Sequence, residues 1–301
     1  MPLLLGAQSA VATGFNIGNS CRFNDGDDAY LTRTWGTPTN GKIWTLSAWV
    51  KSSDLSDTAP NSVRNILGAR IDSNNYSDLS FLSDERYMYI LDYTTGGGGA
   101  YGKTIELRTE NYYRDCSAWM HMVWACDTSQ SVAANRLKFY VNGNHITTLT
   151  VGRYMDQDRE ITVNKNTASC DIGRSGAGYY YFDGYMAEVA FIDGTQYAAS
   201  DFGEFNEDSP TIWQPKAFVD DVTFGDNGFY LDFADSADLG NDVSGQGNDL
   251  TPTNIAAVDQ ATDTPTNNFA TFNYLNVRGF ANELICNIKF FKCTDIKSSH
   301  F

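Results

Sequence analysis

From its beginning to about residue 235, this chain carries its apolar residues at a spacing of two, and no stretch sustains a helical repeat. Successive side chains leave a strand on opposite faces, so this spacing marks sheets with one face turned to a core. In Lys42-Ile43-Trp44-Thr45-Leu46-Ser47-Ala48-Trp49-Val50, residues Trp44, Leu46, Ala48 and Val50 share a face. Met120, Met122, Trp124 and Cys126 alternate similarly, but His121, Val123 and Ala125 between them are largely apolar too. Such a strand is expected at the centre of a sheet covered on both sides. Between Leu137 and Ile146 two alternating runs meet at Asn142-Gly143. Both residues tolerate positive φ, as a type I′ hairpin turn requires. Leu137, Phe139 and Val141 are expected to face the core, with Arg136, Lys138 and Tyr140 facing away.

A third run spans Tyr179 to Gly194. Here Tyr185, Ala187, Val189 and Phe191 are expected on one face, and Met186, Glu188, Ala190 and Ile192 on the other. Residues 195–208 are expected to hold a short helix capped by Ser200, with Glu204 near its third or fourth position. Pro210 and Pro215 flank Trp213, and Gly228-Phe229-Tyr230-Leu231-Asp232-Phe233 reads as a further strand. A turn-rich passage then runs from Asp235 to Asn254. These changes of texture divide the chain into an N-terminal arm (1–17), a sandwich (18–257) and a C-terminal extension (258–301). Within the sandwich, 18–195 form the core and 196–257 a closing segment.

Composition narrows the partners. The 42% hydrophobic and 19% charged residues describe a folded chain. A net charge of −16 repels phosphate backbones, so no nucleic acid partner is expected. No apolar run approaches the roughly 20 residues of a membrane helix, and no membrane partner is expected. The opening Met1-Pro2-Leu3-Leu4-Leu5-Gly6 has no basic stretch before it, so no signal peptide is expected. The six cysteines include no Cys-x-x-Cys pair and there are three histidines, which leaves no zinc cluster. Cys126, within a strand pattern, is expected to be a buried thiol.

Two loops are rich in the oxygen ligands that a hard cation takes. One holds Asp25, Asp27 and Asp28; the other runs from Asp235 to Asp249. Calcium is therefore the one candidate cofactor, against the competing reading that these are ordinary acidic turns. Aromatic residues beside flexible turns are the candidate sugar ligands. Tyr179, Tyr180 and Tyr181 follow Gly176-Ala177-Gly178, and Tyr101 follows the four glycines 96–99. Sugar rings stack their C–H faces on such rings. The competing reading packs these tyrosines between strands or against another subunit. Glu188 and His121 both read as hydrogen-bonded sheet residues.

The blocks also carry a resemblance. They are Cys21-Arg22-Phe23-Asn24 with Ala29-Tyr30-Leu31, then Trp44 to Lys51, Trp119 to Trp124, and Leu137 to Gly143. Ile172-Gly173 follows, with Tyr181-Phe182-Asp183-Gly184 and Ala187-Glu188-Val189. In order and spacing they resemble the concanavalin A-like lectin/glucanase (laminin G-like) domains, over about residues 18–195. The resemblance implies an all-β fold, an antiparallel jelly-roll sandwich of two sheets. A narrower one covers residues 180–272, through Phe182-Asp183-Gly184, Asp201-Phe202-Gly203-Glu204, Gly228 to Phe233, Ser244 to Asp249, and Asp263-Thr264-Pro265-Thr266-Asn267-Asn268. These passages are similar to lectin-like fibre, tail and capsid-surface proteins of marine tailed bacteriophages. In longer relatives the last passage leads into a further module, which the residues after it here do not match.

Glucanases of this fold are expected to carry Glu-x-Asp-x-x-Glu on one strand, supplying nucleophile and acid/base. None of the glutamates, at 85, 106, 110, 160, 188, 204, 207 and 283, begins it. The chain is thus expected to be no enzyme, and to have no catalytic residues. The resemblance implies a virion surface subunit contacting host-surface glycans, exposed outside the cell after lysis. Other virion proteins and copies of itself, as a trimer, are its expected partners. The rival reading is a purely structural assembly subunit without sugar binding; a polysaccharide-cleaving enzyme ranks last.

Overall fold

The computed structural model describes residues 14–53, 63–82, 87–94 and 103–268. The first strands are β1 (Ser20–Phe23), β2 (Tyr30–Thr34), β3 (Ile43–Ser52), β4 (Val63–Asp72), β5 (Asn75–Leu82) and β6 (Tyr87–Thr94). Next come β7 (Lys103–Thr109), β8 (Met120–Asp127), β9 (Leu137–Val141), β10 (Asn144–Ile146), β11 (Leu149–Arg153) and β12 (Ser169–Ile172). The last are β13 (Gly184–Asp193), β14 (Gly203–Phe205), β15 (Trp213–Pro215), β16 (Phe229–Leu231), β17 (Thr251–Thr253) and β18 (Gln260–Ala261). Among the described residues there is no α-helix, and none long and apolar enough to cross a membrane.

The strands form two eight-stranded antiparallel sheets. In the first the order is β10-β9-β8-β3-β13-β1-β18, with β16 also on β13. In the second it is β11-β7-β6-β5-β4-β12-β2-β17. The expected all-β antiparallel sandwich is what forms. Trp44, Leu46, Ala48 and Val50 from β3 and Met122, Trp124 and Cys126 from β8 face Leu67, Ala69, Leu79, Ile90 and Leu107 of the second sheet. At the centre, Trp35 packs on Phe191 with ring centroids 4.6 Å apart, and Trp44 and Phe229 stack on Phe191 at 6.1 and 5.8 Å.

The Asn142-Gly143 turn takes positive φ at both residues, 46° and 77°, as expected. The other face of β8 is also covered. Val123 and Ala125 join Ala190, Ile192, Phe202, Phe218, Phe224 and Tyr230 in a second apolar cluster. This layer comes from residues 196–230, so β8 is indeed apolar on both faces.

Two expectations fail. Residues 195–208 form a 3-10 turn (Ala199–Asp201) and then β14, rather than a helix capped by Ser200. The turn is held by Asp201, whose carboxylate accepts from the Ala198 N–H at 2.7 Å. The alternation in β13 also slips. Met186, Val189 and Phe191 face the main core, whereas Ala187 packs with Trp49 and Trp119, and Ala190 and Ile192 lie in the second cluster. The cause is a bulge between Ala187 and Ala190, where Glu188 takes φ +49° and moves the side-chain phase by one.

At the chain's two described ends, β18 pairs with β1. The Ile17 N–H reaches the Thr266 hydroxyl at 3.0 Å, and the Thr264 hydroxyl donates to the Ile17 carbonyl at 2.9 Å. Residues 258–268, grouped with the C-terminal extension on sequence, therefore pack on the sandwich. Lys51, 3% exposed, pairs with Asp263 at 2.7 Å, and Asp263 also accepts from the Trp119 indole at 2.9 Å.

Phe191 touches three aromatic rings and is fully buried. Phe191→Ala is expected to cost about 3–5 kcal/mol by urea unfolding. A loss below about 1 kcal/mol would mean that this ring cluster is not the centre of the packing.

Candidate functional site

Residues directly opposite one another on paired strands share a face. Across the second sheet the register places Arg70, Tyr76, Tyr93 and Lys103 in one row. The next row holds Asp171, Gly68, Asp78, Leu91 and Glu106, and the one beyond it Asn65, Ser80, Tyr89 and Arg108. These rows alternate with the core row of Leu67, Leu79, Ile90 and Leu107, so they line the outer face. It is a face of tyrosines, arginines and carboxylates.

One loop is laid over it. After β12 the chain turns at Gly173 (φ +86°) and crosses the face to Tyr181. The loop lies on bare backbone: a Cβ on Gly68 would stand 2.3 Å from the Arg174 carbonyl oxygen. Asp78, 4% exposed, fastens it, accepting from the Gly176 N–H at 2.7 Å and from the Ser175 hydroxyl at 2.9 Å. Burial pushes the Asp78 carboxyl up to about 7, against those two donors, and neighbouring Asp171 adds to the rise. Arg174 closes the start of the loop, pairing with Asp171 at 2.8 Å and lying 3.7 Å over the Tyr30 ring.

At its crest Tyr179 is 58% exposed, and Tyr180 is exposed with φ +72°. Their rings meet edge to face at 4.9 Å. Beside them Tyr76 and Tyr93 stack at 5.1 Å with planes 22° apart. Burial first, then the nearby Asp78, Tyr179, Tyr93 and Tyr180, push the Tyr76 hydroxyl up to about 12. Tyr179 and Tyr180 thus join an aromatic surface with Tyr76 and Tyr93. Tyr181 leaves it, turning toward Tyr30 at 6.2 Å. Tyr101 lies outside the described residues. Sequence reasoning missed Tyr76, Tyr93 and Arg70, although Tyr87-Met88-Tyr89-Ile90-Leu91-Asp92-Tyr93 carries a legible alternation with its tyrosines on one face.

The acidic turn at Asp25, Asp27 and Asp28 is differently employed. Asp25 pairs with Arg64 at 3.2 Å, Asp27 takes the Asn24 amide, and Asp28 closes the turn at φ +55°. In the other acidic loop Asp242 accepts from Tyr230 N–H, Ser244 and Asn248 N–H, and Asp249 from Asp242 N–H. Among the described residues no three carboxylate, imidazole or thiolate groups converge as a cation would need. A chelator is accordingly expected to leave the melting temperature unchanged; a drop that calcium restores would show a site assembled in some other way.

Across the sandwich, a cleft of about 540 Å³ opens on the first sheet. Glu188, 5% exposed, lines it together with Asp232, Phe218 and Tyr230, and its carboxylate takes the Tyr230 hydroxyl. Burial raises the Glu188 carboxyl to about 7; the Tyr230 hydrogen bond opposes this and Asp232 adds to it. Nearby, His121 lies between the rings of Trp49 and Trp213. The Trp213 indole can only donate, at 3.1 Å to Nδ1, so Nε2 carries the proton and faces Ser47 Oγ at 2.8 Å. Desolvation lowers His121 to about 3. A neutral imidazole that donates to Ser47 cannot take its proton, which leaves this pair structural.

Glu188 and His121 pull stability in opposite directions with pH. Glu188 is raised above its ordinary value, so its contribution is complete below about pH 4 and is lost as pH rises through 7. His121 is lowered, so its contribution is complete above about pH 6.5 and is lost as pH falls toward 3. Glu188→Gln is expected to gain on the wild type between pH 5 and 8, by on the order of 2–3 kcal/mol in urea unfolding. Parallel curves would mean that Glu188 is ionised in the folded protein throughout.

The family model described as "Concanavalin A-like lectin/glucanases superfamily" matches residues 24–199. No curated protein matches the chain. Among solved structures, a proposed carbohydrate binding protein from Bacteroides ovatus is 14% identical, with TM-score 0.49, over 82% of this chain and 60% of that one. The chain therefore spans less than two thirds of that protein. The heptameric SAP-like pentraxin from Limulus polyphemus is 12% identical, with TM-score 0.38, over 61% and 80%. Tailspike protein 2 from the Escherichia coli O157:H7 bacteriophage CAB120 is 12% identical, with TM-score 0.39, over 60% and 23%.

Proposed function

This chain belongs to the concanavalin A-like lectin/glucanases superfamily, and we propose that it is a non-catalytic, lectin-like subunit of a virion surface that contacts host-surface glycans. The observation that carries the sugar-binding part is the aromatic surface of Tyr76, Tyr93, Tyr179 and Tyr180 on the outer face of the second sheet. Flat rings at a partly open face offer stacking surface to pyranose C–H groups, and the arginines and carboxylates around them offer partners to hydroxyls. The virion setting rests on the phage-like passages between residues 180 and 272. It implies a fibre, tail or capsid-attached position, reached by lysis.

The non-catalytic reading rests on the missing Glu-x-Asp-x-x-Glu pattern. Glu188, the one glutamate among the described residues that lines the cleft, is engaged by Tyr230. A shallow site recovers little energy after desolvation and ordering, so useful avidity asks for repetition. A closed symmetric oligomer, a trimer, is the form proposed.

Tyr76→Ala and Tyr179→Ala are expected to weaken glycan binding and host adsorption at least tenfold, with the Tyr179 variant leaving the melting temperature within about 1 °C. Unchanged adsorption in both variants, or burial of Tyr179 against another virion protein in the assembled particle, would favour the structural rival. Release of reducing ends from host polysaccharide that disappears in Glu188→Gln would overturn the non-catalytic reading.

A further inference from the structure

The cations on the tyrosine face are unequally employed. Lys103 pairs with Glu106 at 2.5 Å and Arg174 with Asp171 at 2.8 Å. Arg108 lies over the Tyr87 ring at 4.8 Å, in the row beyond Asp78. Arg70 stands beside Tyr76 in the row that continues to Tyr93. Its guanidinium donates to the Ala177 carbonyl at 3.4 Å, and Nη1 rests where a Cβ on Gly178 would come within 2.8 Å. Among the described residues no carboxylate forms an ion pair with it. Asp72, two residues on, directs its carboxylate to the Asn74 N–H and the Asn75 amide.

Asp72 is exposed and feels the Arg70 charge without pairing with it, and the carboxylates in the rows beyond are nearly neutralised. Asp171 is matched by Arg174, Glu106 by Lys103, and Asp78 is closed beneath the loop with its own donors. An arginine fixed at one Nη beside a stacked pair of rings has N–H groups left to bond an oxyanion in the fork geometry that suits carboxylate and sulfate oxygens. On a chain carrying −16, a half-buried arginine that forms no ion pair among the described residues leaves room for an anion from outside.

We propose that this face selects acidic glycans, with Arg70 binding the carboxylate or sulfate of a sugar whose ring lies on Tyr76, Tyr93 and Tyr179. This rests on the sugar-binding reading above and adds the ligand's charge. Specificity then divides into two parts. The rings give affinity to any pyranose that can lie flat, and Arg70 discriminates by charge, an attraction that salt screens.

The test titrates purified protein by calorimetry with four probes: a guluronate hexasaccharide, a sulfated galactan hexasaccharide, sialyllactose and neutral laminarihexaose. At least one acidic probe is expected to bind tenfold or more tighter than laminarihexaose, and to weaken several-fold from 50 to 500 mM NaCl. Arg70→Gln should remove that preference by weakening the acidic probes far more than the neutral one, and Arg70→Lys should keep part of it. Tyr76→Ala should weaken every probe that binds. Should the Gln variant misfold by its melting curve, the Lys variant together with the salt series decides. Which acidic probe prevails tells carboxylate from sulfate. Equal or tighter binding of laminarihexaose, or acidic binding that Arg70→Gln leaves intact, overturns the charge assignment alone. No binding by any of the four overturns the sugar-binding reading with it.

Discussion

One residue of β13 sets the phase of the first sheet. This strand runs ten residues beside β3 and is flanked on its other edge by β1 and then by β16. A uniform alternation would put Tyr185 and Ala187 into the core with Val189 and Phe191. The left-handed turn at Glu188 cancels one step, so Met186 faces inward before it and Val189 after it. A non-glycine residue at φ +49° is strained, and the packing on both sides over-determines it. Since Phe191 anchors the central ring cluster and Ala190 the outer layer, both apolar layers inherit their register from that kink.

The second sheet shows a different economy. Its inner face is as apolar as that of the first, but its outer face keeps polar groups at full burial and covers them with one loop. Asp78 makes this possible. A carboxylate beneath a loop is costly unless it is hydrogen-bonded, and the Ser175 hydroxyl and Gly176 N–H supply the bonds. The same contacts fix the loop's height over Gly68 and hence the positions of Tyr179 and Tyr180. A buried acid thus holds the exposed rings in place.

Most of the fold was legible because its strands obey the local rule that the sequence displays. The period of two in β3 and β8, the Asn142-Gly143 turn and the double-sided β8 all follow from local pattern. The slip at Glu188 was not legible, because nothing in Ala187-Glu188-Val189 distinguishes a bulge from a regular step; the phase depends on strands distant in sequence. The turn at 199–201 misled similarly, since Ser and Glu at cap spacing occur without the apolar stripe that a helix needs. Half of the candidate site was visible as tyrosines beside glycines at 179–180. The other half, Arg70, Tyr76 and Tyr93, lies on three separate strands, and only their pairing brings it together. Asp25, Asp27 and Asp28 had the composition of a cation loop, but Arg64, 39 residues away, claims Asp25.

The pairing of β1 with β18 has a mechanical meaning. Ser20, at the start of β1, lies opposite Ala261, at the end of β18, so the two ends of the described chain meet at one corner of the sandwich. A pull applied between residues 14 and 268 would load that ladder at its end and open its bonds one after another, rather than shearing them together. Before that short zipper it would meet Asp263, on which Lys51 and Trp119 both close, both buried. Yielding of this corner would be the release of a catch and then a gradual peel, while the tyrosine face, built on strands remote from it, stays out of the line of force.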